Sequence, residues 1–225
     1  SQLTEEMGID ESNIIVPSKQ SVKAALPFED NETLAFAQSV MRTLNQYFVS
    51  HNISACLDSG TLLGAVRNKG LIPWDDDIDL IIVGEDEIGK IVSKHGWETR
   101  DYILKVNPNY NNKSKNDYNN KIDARFISKK YGLFIDFMFF WEDKNMFFSK
   151  ADKNNYHKDL VLPYQKDILY SNKNGVGIPI YIPHNPVDCL VKRYGKDVLD
   201  AGGHGPPGMY NKAWTFKNNN WVKEF

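Results

Sequence analysis

The sequence of 225 residues predicts a mixed α/β domain of the α+β class. Three patterns carry this prediction. Residues 31–51 repeat apolar side chains at helical spacing, and residues 77–83 run from aspartates into β-favouring side chains. Two apolar runs, 121–128 and 133–141, flank a turn that contains Gly132, as expected of a hairpin. Helical and strand patterns follow one another without an internal repeat or a clear domain boundary.

Composition excludes several classes of protein. The chain has 27 basic and 29 acidic side chains and a formal net charge of −2, so we expect no broad nucleic-acid or membrane-surface footprint. With 41% hydrophobic and 12% aromatic residues, the chain can fill a core. No apolar run approaches the length of a membrane-spanning helix. We therefore predict no nucleic-acid partner and no membrane span.

The first part of the chain is predicted to contain an arm, a helix and a short strand. Residues 1–30 are polar and irregular and are interpreted as an N-terminal arm, with a single domain over 31–225. The helix over 31–51 begins that domain. The apolar segment 53–57 predicts a strand, and 61–66 predicts a helical turn.

The later elements are predicted from the same patterns. They are a buried strand over 77–83, a surface helix over 85–95, the hairpin of 121–128 and 133–141, a strand over 176–182, and a helix that begins at Asn185-Pro186 and ends at Gly195.

Residues 107–120 form a predicted loop, half of it asparagine. Loops of this length in compact domains are commonly functional or disordered. Because the loop precedes the hairpin that carries Asp136 and has few apolar residues to anchor it, we expect a lid or an acceptor contact at the rim of the site. The alternative is a tolerated disordered insertion.

Cysteines and sequons bear on the compartment. Cys56 and Cys189 lie in apolar runs and are predicted to be buried thiols rather than a disulfide. Asn-x-Ser/Thr sequons occur at Asn31, Asn52 and Asn112 and are usable only in a secretory compartment. They favour the lumen of the Golgi or ER. The alternative is a cytoplasmic protein, because an asparagine-rich chain forms such matches by chance.

Acidic residues form the first candidate site. Asp75, Asp77 and Asp79 share the same parity, so Asp77 and Asp79 project from one face if this segment is extended. Carboxylates on one face repel and favour a divalent cation such as Mg²⁺. Asp136, among Phe and Ile neighbours, is the natural third ligand because a buried carboxylate needs a partner. The alternatives are a solvated turn for the aspartate run and a hydrogen-bonded core carboxylate for Asp136.

A second candidate site is the turn of Ser59, Gly60 and Thr61. These residues open the predicted helical turn, and backbone N–H groups and hydroxyls at such a position suit phosphate. Glycine allows the backbone to approach a ligand closely.

Residues 59–80 resemble the signature of the LicD/fukutin-related family, which has the nucleotidyltransferase-like fold. The resemblance rests on the runs GTLLGAVR and IPWDDDID and on the spacing between them. Asp136, in Ile-Asp-Phe, resembles the third acid of the family. Residues 176–195, which end in Arg-Tyr-Gly, resemble its C-terminal stretch, so the resemblance covers roughly 35–195.

The resemblance implies a small mixed sheet flanked by helices, a divalent metal (Mg²⁺ or Mn²⁺) and a nucleotide-activated donor, most often CDP-linked. Members of the family transfer phosphocholine, ribitol phosphate or mannose phosphate to a sugar hydroxyl of a glycan acceptor. We therefore expect a LicD-type phosphotransferase in which an acceptor hydroxyl attacks the β-phosphorus and nucleoside monophosphate leaves.

The same resemblance implies roles for the acids. Asp77, Asp79 and Asp136 are the expected catalytic residues and, with Asp75, the expected metal ligands. Asp136 is also the expected acceptor of the proton from the attacking hydroxyl.

Basic residues are expected to bind the donor beside Ser59, Gly60 and Thr61. Arg67 and Lys69 are the first choice for neutralising the leaving phosphate, and the alternative for both is surface charge. Lys121 and Arg125, which share one parity on a predicted strand, are the second choice.

Two other functions stay open from the residues. A nucleotidyltransferase would use the same acids but would release diphosphate, so product analysis separates it from a phosphotransferase. An inactive glycan-binding module of the same fold need not bind Mg²⁺ at the acids, so metal titration separates that reading.

Overall fold

The computed structural model of the protein describes residues 32–72, 78–113, 122–129, 134–152, 154–169, 177–196, 198–199, 214–217 and 220–223. The arm predicted for 1–30 lies outside these residues, and the assignment of 31–225 to a single domain stays a prediction.

The described residues form helices and strands in a mixed order. The α-helices are α1 (Glu32–Ser50), α2 (Ser59–Leu63), α3 (Glu85–Val92), α4 (Lys158–Val161) and α5 (Pro186–Tyr194), and a π-helical turn, Gly64–Asn68, follows α2. The strands are β1 (Cys56–Leu57), β2 (Ile78–Val83), β3 (Tyr102–Val106), β4 (Ala124–Ser128), β5 (Phe134–Asp143), β6 (Met146–Phe148), β7 (Tyr156–His157), β8 (Gln165–Leu169), β9 (Ile178–Ile182), β10 (Trp214–Lys217) and β11 (Asn220–Lys223).

Within the described part of the chain, seven strands form one mixed sheet. Its main path runs β1-β2-β5-β4-β3, while β6 extends from β5 and β7 pairs with β6. Strands β2 and β5 are parallel, and the other neighbours along the path are antiparallel. Strands β8 and β9, and β10 and β11, form separate antiparallel pairs. A mixed sheet flanked by helices confirms the predicted α+β class.

The sheet is buried on both faces. Alternate residues of β2 and β5 enter two different apolar clusters, a larger one that includes α1 and a smaller one that includes both cysteines. Ile81 and Met138 belong to the smaller cluster. Asp79 and Asp136 have the same parity as these two residues, so they lie on the same face of the sheet.

Helix α1 confirms the helix predicted for 31–51. Its apolar repeat places Val40, Met41, Leu44 and Phe48 in the larger cluster. Burying side chains of this size contributes roughly 1.5–3 kcal/mol each, which is the main reason why this face of the helix docks on the sheet.

The hairpin predicted from 121–128 and 133–141 is present as the antiparallel pair β4–β5. The predicted strand at 53–57 is limited to Cys56–Leu57. Both cysteines are buried free thiols, as predicted. Among the helices that the structure describes, none has both the length and the apolar character needed to cross a membrane.

The start of the predicted loop 107–120 is anchored to the core. Asn107 is fully buried and donates from its side chain to the carbonyl of Ile122 at 3.0 Å. Tyr110 stacks on the buried ring of Trp141. The first residues of the loop are therefore anchored although the loop has few apolar residues. Its role as a lid or acceptor contact stays a prediction, and 114–120 lie outside the described part.

Candidate functional site

Asp79 and Asp136 lie directly opposite each other on neighbouring parallel strands. Their Cα atoms are paired in the register of β2 and β5. Neighbouring strands lie about 4.8 Å apart, so the two carboxylates share one small area of the sheet face. Asp79 is half-buried and Asp136 is buried. The expectation that these acids come from adjacent strands is confirmed. Asp75 and Asp77 lie outside the described residues.

Arg125 binds Asp136 through two parallel contacts. Its Nε donates to Oδ1 at 2.6 Å and its Nη2 donates to Oδ2 at 3.1 Å. The register of β4 and β5 places the two residues opposite each other. The structure therefore corrects the premise that Asp136 lacks a charge partner. It also places Arg125, a second-choice phosphate ligand, in an ion pair with an acid of the site.

The electrostatics of Asp136 combine two opposing effects. Burial raises the pKa of its carboxyl group and the Arg125 guanidinium lowers it, with the net direction upwards. A carboxylate has about four lone-pair positions, so two hydrogen bonds from Arg125 leave room for a cation on the same oxygens. Among the described residues no group of three or more acidic, histidine or cysteine side chains is arranged so that it could hold a metal ion. The described part of the predicted metal site consists of two carboxylates, Asp79 and Asp136, and metal binding stays a prediction.

The turn of Ser59, Gly60 and Thr61 lies beside Asp79. The amide of Asp58 donates to the carbonyl of Asp79 at 3.0 Å, and the amide of Asp79 donates to Oγ1 of Thr61 at 3.0 Å. The first contact continues the antiparallel pairing of β1 with β2, and the second comes from a side chain of α2. The predicted phosphate-binding turn is thus brought next to Asp79, which lies opposite Asp136, and phosphate binding itself stays a prediction.

The basic residues after α2 have different environments. Arg67, in the π-helical turn, is buried, which excludes surface charge as its role. Burial lowers the pKa of its guanidinium to about 10. Lys69 is exposed and lies in the left-handed region with φ 61°. Lys121 lies outside the described residues.

Gly64 allows the chain after α2 to fold back closely. A Cβ at this position would lie 2.5 Å from the carbonyl oxygen of Gly70 and 3.1 Å from the amide nitrogen of Ile72. Backbone atoms cannot move aside at little cost, so only glycine fits. The close approach places Ile72 against Gly64. Ile72 is the last described residue before β2.

Residues 52–172 match the family described as LicD/FKTN/FKRP, nucleotidyltransferase domain, over more than half of the chain. The chain belongs to this family. The LicD/FKTN/FKRP match contains Ser59, Asp79, Arg125 and Asp136, which agrees with the signature identified in the sequence.

Relatives of this chain include proteins with and without a named activity. An uncharacterized protein of Rickettsia prowazekii is 28% identical over 155 residues, which are 69% of this chain and 52% of that protein. The lipopolysaccharide cholinephosphotransferase LicD of Haemophilus influenzae is 40% identical over 74 residues, 31% of this chain and 28% of that protein. Mannosyltransferase regulator 4 of Saccharomyces cerevisiae is 28% identical over 116 residues, 48% of this chain and 10% of that protein. The chain spans about half the length of the first of these relatives and less of the others.

A buried charge network lies beside the turn of Ser59, Gly60 and Thr61, and it was not predicted from the sequence. Arg193 of α5 contacts the carboxylates of Asp58 and Asp152, and the hydroxyl of Tyr156 donates to Asp152. Arg193 lies beyond the end of the family match at residue 172. Two features of the sequence could have indicated this network. Asp58 directly precedes the Ser59 turn, and the Arg-Tyr-Gly segment resembled the family at a place where no role was assigned.

Proposed function

We propose that this protein transfers a phosphorylated alcohol or sugar from a nucleoside-diphosphate-linked donor to a hydroxyl of a glycan. A CDP-linked donor is the first choice, with phosphocholine, ribitol phosphate or mannose phosphate as the class of transferred group. Membership of the LicD/FKTN/FKRP family supports a transferase. The cholinephosphotransferase relative supports transfer of a substituted phosphate in glycan modification.

One observation carries the proposal. Two acids of the signature, Asp79 and Asp136, occupy paired positions on adjacent parallel strands, and the Ser59 turn is hydrogen-bonded to the backbone of Asp79. Phosphoryl transfer depends mostly on positioning and on neutralising charge. An acid pair next to a turn that can face phosphate suits both needs.

Asp77, Asp79 and Asp136, completed by Asp75, would hold Mg²⁺ or Mn²⁺. Carboxylate oxygens are the ligands that these hard cations prefer, and Asp136 keeps lone pairs beyond those used by Arg125. A bound ion would supply charge neutralisation for the donor diphosphate.

The residues of the chain would then orient the donor and acceptor. The acceptor oxygen forms a bond to the β-phosphorus, the bond from that phosphorus to the bridging oxygen breaks, and nucleoside monophosphate leaves. We assign to Asp136 the role of accepting the proton that the attacking hydroxyl loses. Arg67 and Lys69 would balance charge on the leaving phosphate, and the Ser59 turn would hold the diphosphate.

A donor screen tests the proposal. CDP-choline, CDP-ribitol and GDP-mannose are each added with Mn²⁺, and thermal unfolding is measured first. A ligand that binds only the folded protein at 100 times its Kd adds about 2.7 kcal/mol of stability. Purified lipopolysaccharide is then supplied as acceptor, and released nucleotides are separated by chromatography.

Two variants sharpen the screen. Asp79→Asn should abolish release of nucleoside monophosphate while the protein stays folded, because losing one of two facing carboxylates relieves repulsion. Asp86→Asn makes the same substitution on the exposed part of α3 and should leave turnover unchanged. Transfer of the nucleotide itself to the acceptor, with release of phosphocholine from CDP-choline, would instead support the nucleotidyltransferase. Supplied with CTP, that enzyme would release diphosphate. Near-normal turnover in Asp79→Asn would overturn the assignment of the acids.

A further inference from the structure

Arg193 joins two carboxylates from distant parts of the chain. Its Nη1 lies 3.3 Å from Oδ2 of Asp58 and 3.0 Å from Oδ2 of Asp152. The side chains are 18%, 12% and 5% exposed for Arg193, Asp58 and Asp152, so the cluster is nearly closed to water. Asp58 follows β1 directly and is the N-cap residue of α2, and Arg193 is in the last turn of α5. The ion pairs therefore tie α5 to the edge of the site.

The charges in this cluster depend on one another. Burial by itself lowers the pKa of the Arg193 guanidinium, but the carboxylates of Asp58 and Asp152 outweigh burial and raise it. The same burial, together with Asp152, raises the pKa of the Tyr156 hydroxyl, which therefore stays protonated and donates to Asp152. Two buried acids thus share one cation. A buried carboxylate without a partner is costly, so Arg193 fixes where Asp58 can lie.

Tyr194 makes a second link from α5 to the same turn. Its side chain shares a hydrogen bond with the side chain of Ser59, and burial raises the pKa of its hydroxyl to about 12. Ser59 also donates from Oγ to Oδ2 of Asp58 at 3.1 Å.

Ser59 has an unusual backbone conformation, with φ 54°. A residue with a side chain pays about 1–2 kcal/mol for the left-handed region. Such a conformation persists where the surroundings impose it. The contacts of Ser59 with Asp58 and Tyr194 are the restraints that the structure offers here.

We propose that Arg193 and Tyr194 are positioning residues that hold the Ser59 turn in its left-handed conformation against Asp79. This inference rests on the proposed function, in which that turn binds the donor diphosphate. The path is short. Arg193 holds Asp58, and the amide of Asp58 is bonded to the carbonyl of Asp79. Tyr194 holds Ser59, and Thr61 accepts from the amide of Asp79.

Conservative variants separate positioning from general stability. Tyr194→Phe removes one hydroxyl and keeps the ring. Arg193→Lys keeps the charge but loses the planar guanidinium, and Arg193→Gln removes the charge. Lys129→Gln removes the cation of an exposed ion pair with Glu98 and serves as the control. All are made in the full chain.

The first readout is amide hydrogen exchange, which requires no substrate. In Tyr194→Phe and Arg193→Lys, the amides of residues 59–63 should exchange at least about fivefold faster, while those of α1 exchange at the wild-type rate. General destabilisation would accelerate both segments together. Unchanged exchange at 59–63 in both variants, or equal acceleration throughout, would overturn the proposal.

The second readout is kinetic and uses CDP-choline with Mn²⁺ and lipopolysaccharide. A displaced turn should raise the donor KM about tenfold and leave the acceptor KM unchanged. A smaller folded fraction would lower the apparent kcat and leave both KM values alone. Arg193→Lys should retain more donor affinity than Arg193→Gln, and Lys129→Gln should match wild type. Wild-type donor KM in Tyr194→Phe and in both Arg193 variants would contradict the proposal.

The two readouts also separate this inference from the proposed function. If the wild-type protein releases no nucleoside monophosphate from any donor in the panel, the proposed function fails. Hydrogen exchange at 59–63 still decides whether Arg193 and Tyr194 hold the turn.

Discussion

Two buried ion pairs lie near the start of strand β4, one at Arg125 within the strand and one at Asp123 directly before it, and they differ in what surrounds them. Arg125 and Asp136 are 9% and 10% exposed at their side chains, whereas Lys150 and Asp123 are 1% and 0% exposed, with 2.9 Å between Nζ and Oδ1. Asp136 faces a second acid, Asp79, across the β2–β5 register.

The oxygens of Asp123 are directed to the protein instead. The amide of Phe139 donates to its Oδ2 at 2.7 Å, and Lys150 also donates to the carbonyl of Asn109 at 3.0 Å. Ion pairing and burial are common to both pairs and therefore do not identify a site. Access and a second facing acid distinguish the pair at Asp136, while the pair at Asp123 holds the fold together.

The largest expected effect is on activity at the first pair. Asp136→Asn keeps the shape of the side chain but removes its charge, and turnover per folded molecule should fall by at least about 10³-fold. Nucleoside monophosphate release, corrected for the folded fraction by circular dichroism, measures the loss. Turnover within a factor of a few of wild type would place Asp136 with Asp123 as a structural acid.

The second effect is on stability at the enclosed pair. Lys150→Met leaves the Asp123 carboxylate buried without its cation, which should lower the free energy of unfolding by about 3–5 kcal/mol. Urea titration at neutral pH measures this change. Turnover per folded molecule should equal that of wild type, and a change in donor KM would show that the enclosed pair also acts on the site.

A pH dependence follows from Asp123. Burial raises its pKa from 3.8 to about 6, in spite of Lys150. Between these values the folded protein binds a proton more tightly than the unfolded chain, so the free energy of unfolding falls as pH rises. The loss is on the order of 2 kcal/mol between pH 4 and pH 7. Subtracting the urea-derived profile of Asp123→Asn from that of wild type should isolate the downward slope, and a rising difference would contradict this sign.

The smallest effect is expected at an exposed pair. Lys129 contacts Glu98 with side chains 35% and 54% exposed. Water and salt screen exposed ion pairs, so Lys129→Gln should leave the free energy of unfolding unchanged within the error of the urea titration. A larger loss by urea titration would mean that burial is a poor measure for ranking the ion pairs of this protein.

Local patterns predicted much of the fold. Helix α1 and the β4–β5 hairpin were predicted because their apolar side chains repeat among residues that are close in sequence. The spacing of those residues is sufficient to identify such elements. Strand β3 was missed because Lys105 interrupts its apolar residues, and the two-residue strand β7 is too short to show a period. The strand predicted over 53–57 is present only at its end, Cys56–Leu57. The π-helical turn depends on the contact of Gly64 with Gly70, which no local pattern reveals.

Those parts of the site that local sequence patterns mark were predicted, and those that depend on contacts between distant residues were not. Asp79 and Asp136 are carried by strong strand signals, and their adjacency followed from the expectation of a shared cation. The partner of Asp136 was missed because the register of β4 against β5 decides which basic residue faces it. Arg193 and Asp58 are separated by 135 residues, and only the folded chain brings them together.

The anchoring of Asn107 has a consequence for how this domain can diversify. The backbone amide of Asn107 donates to the carbonyl of Asp123 at 2.8 Å, and its side chain donates to the carbonyl of Ile122. The two ends of the segment between β3 and β4 are therefore held together by hydrogen bonds. Once the ends of a segment are fixed, doubling its length costs only about 0.6 kcal/mol of closure entropy. The chain between the anchored residues 107–110 and Ile122 is therefore open to exchange. Segments of other lengths and compositions can be exchanged there, by evolution or by design, while the strand that carries Asp136 keeps its register.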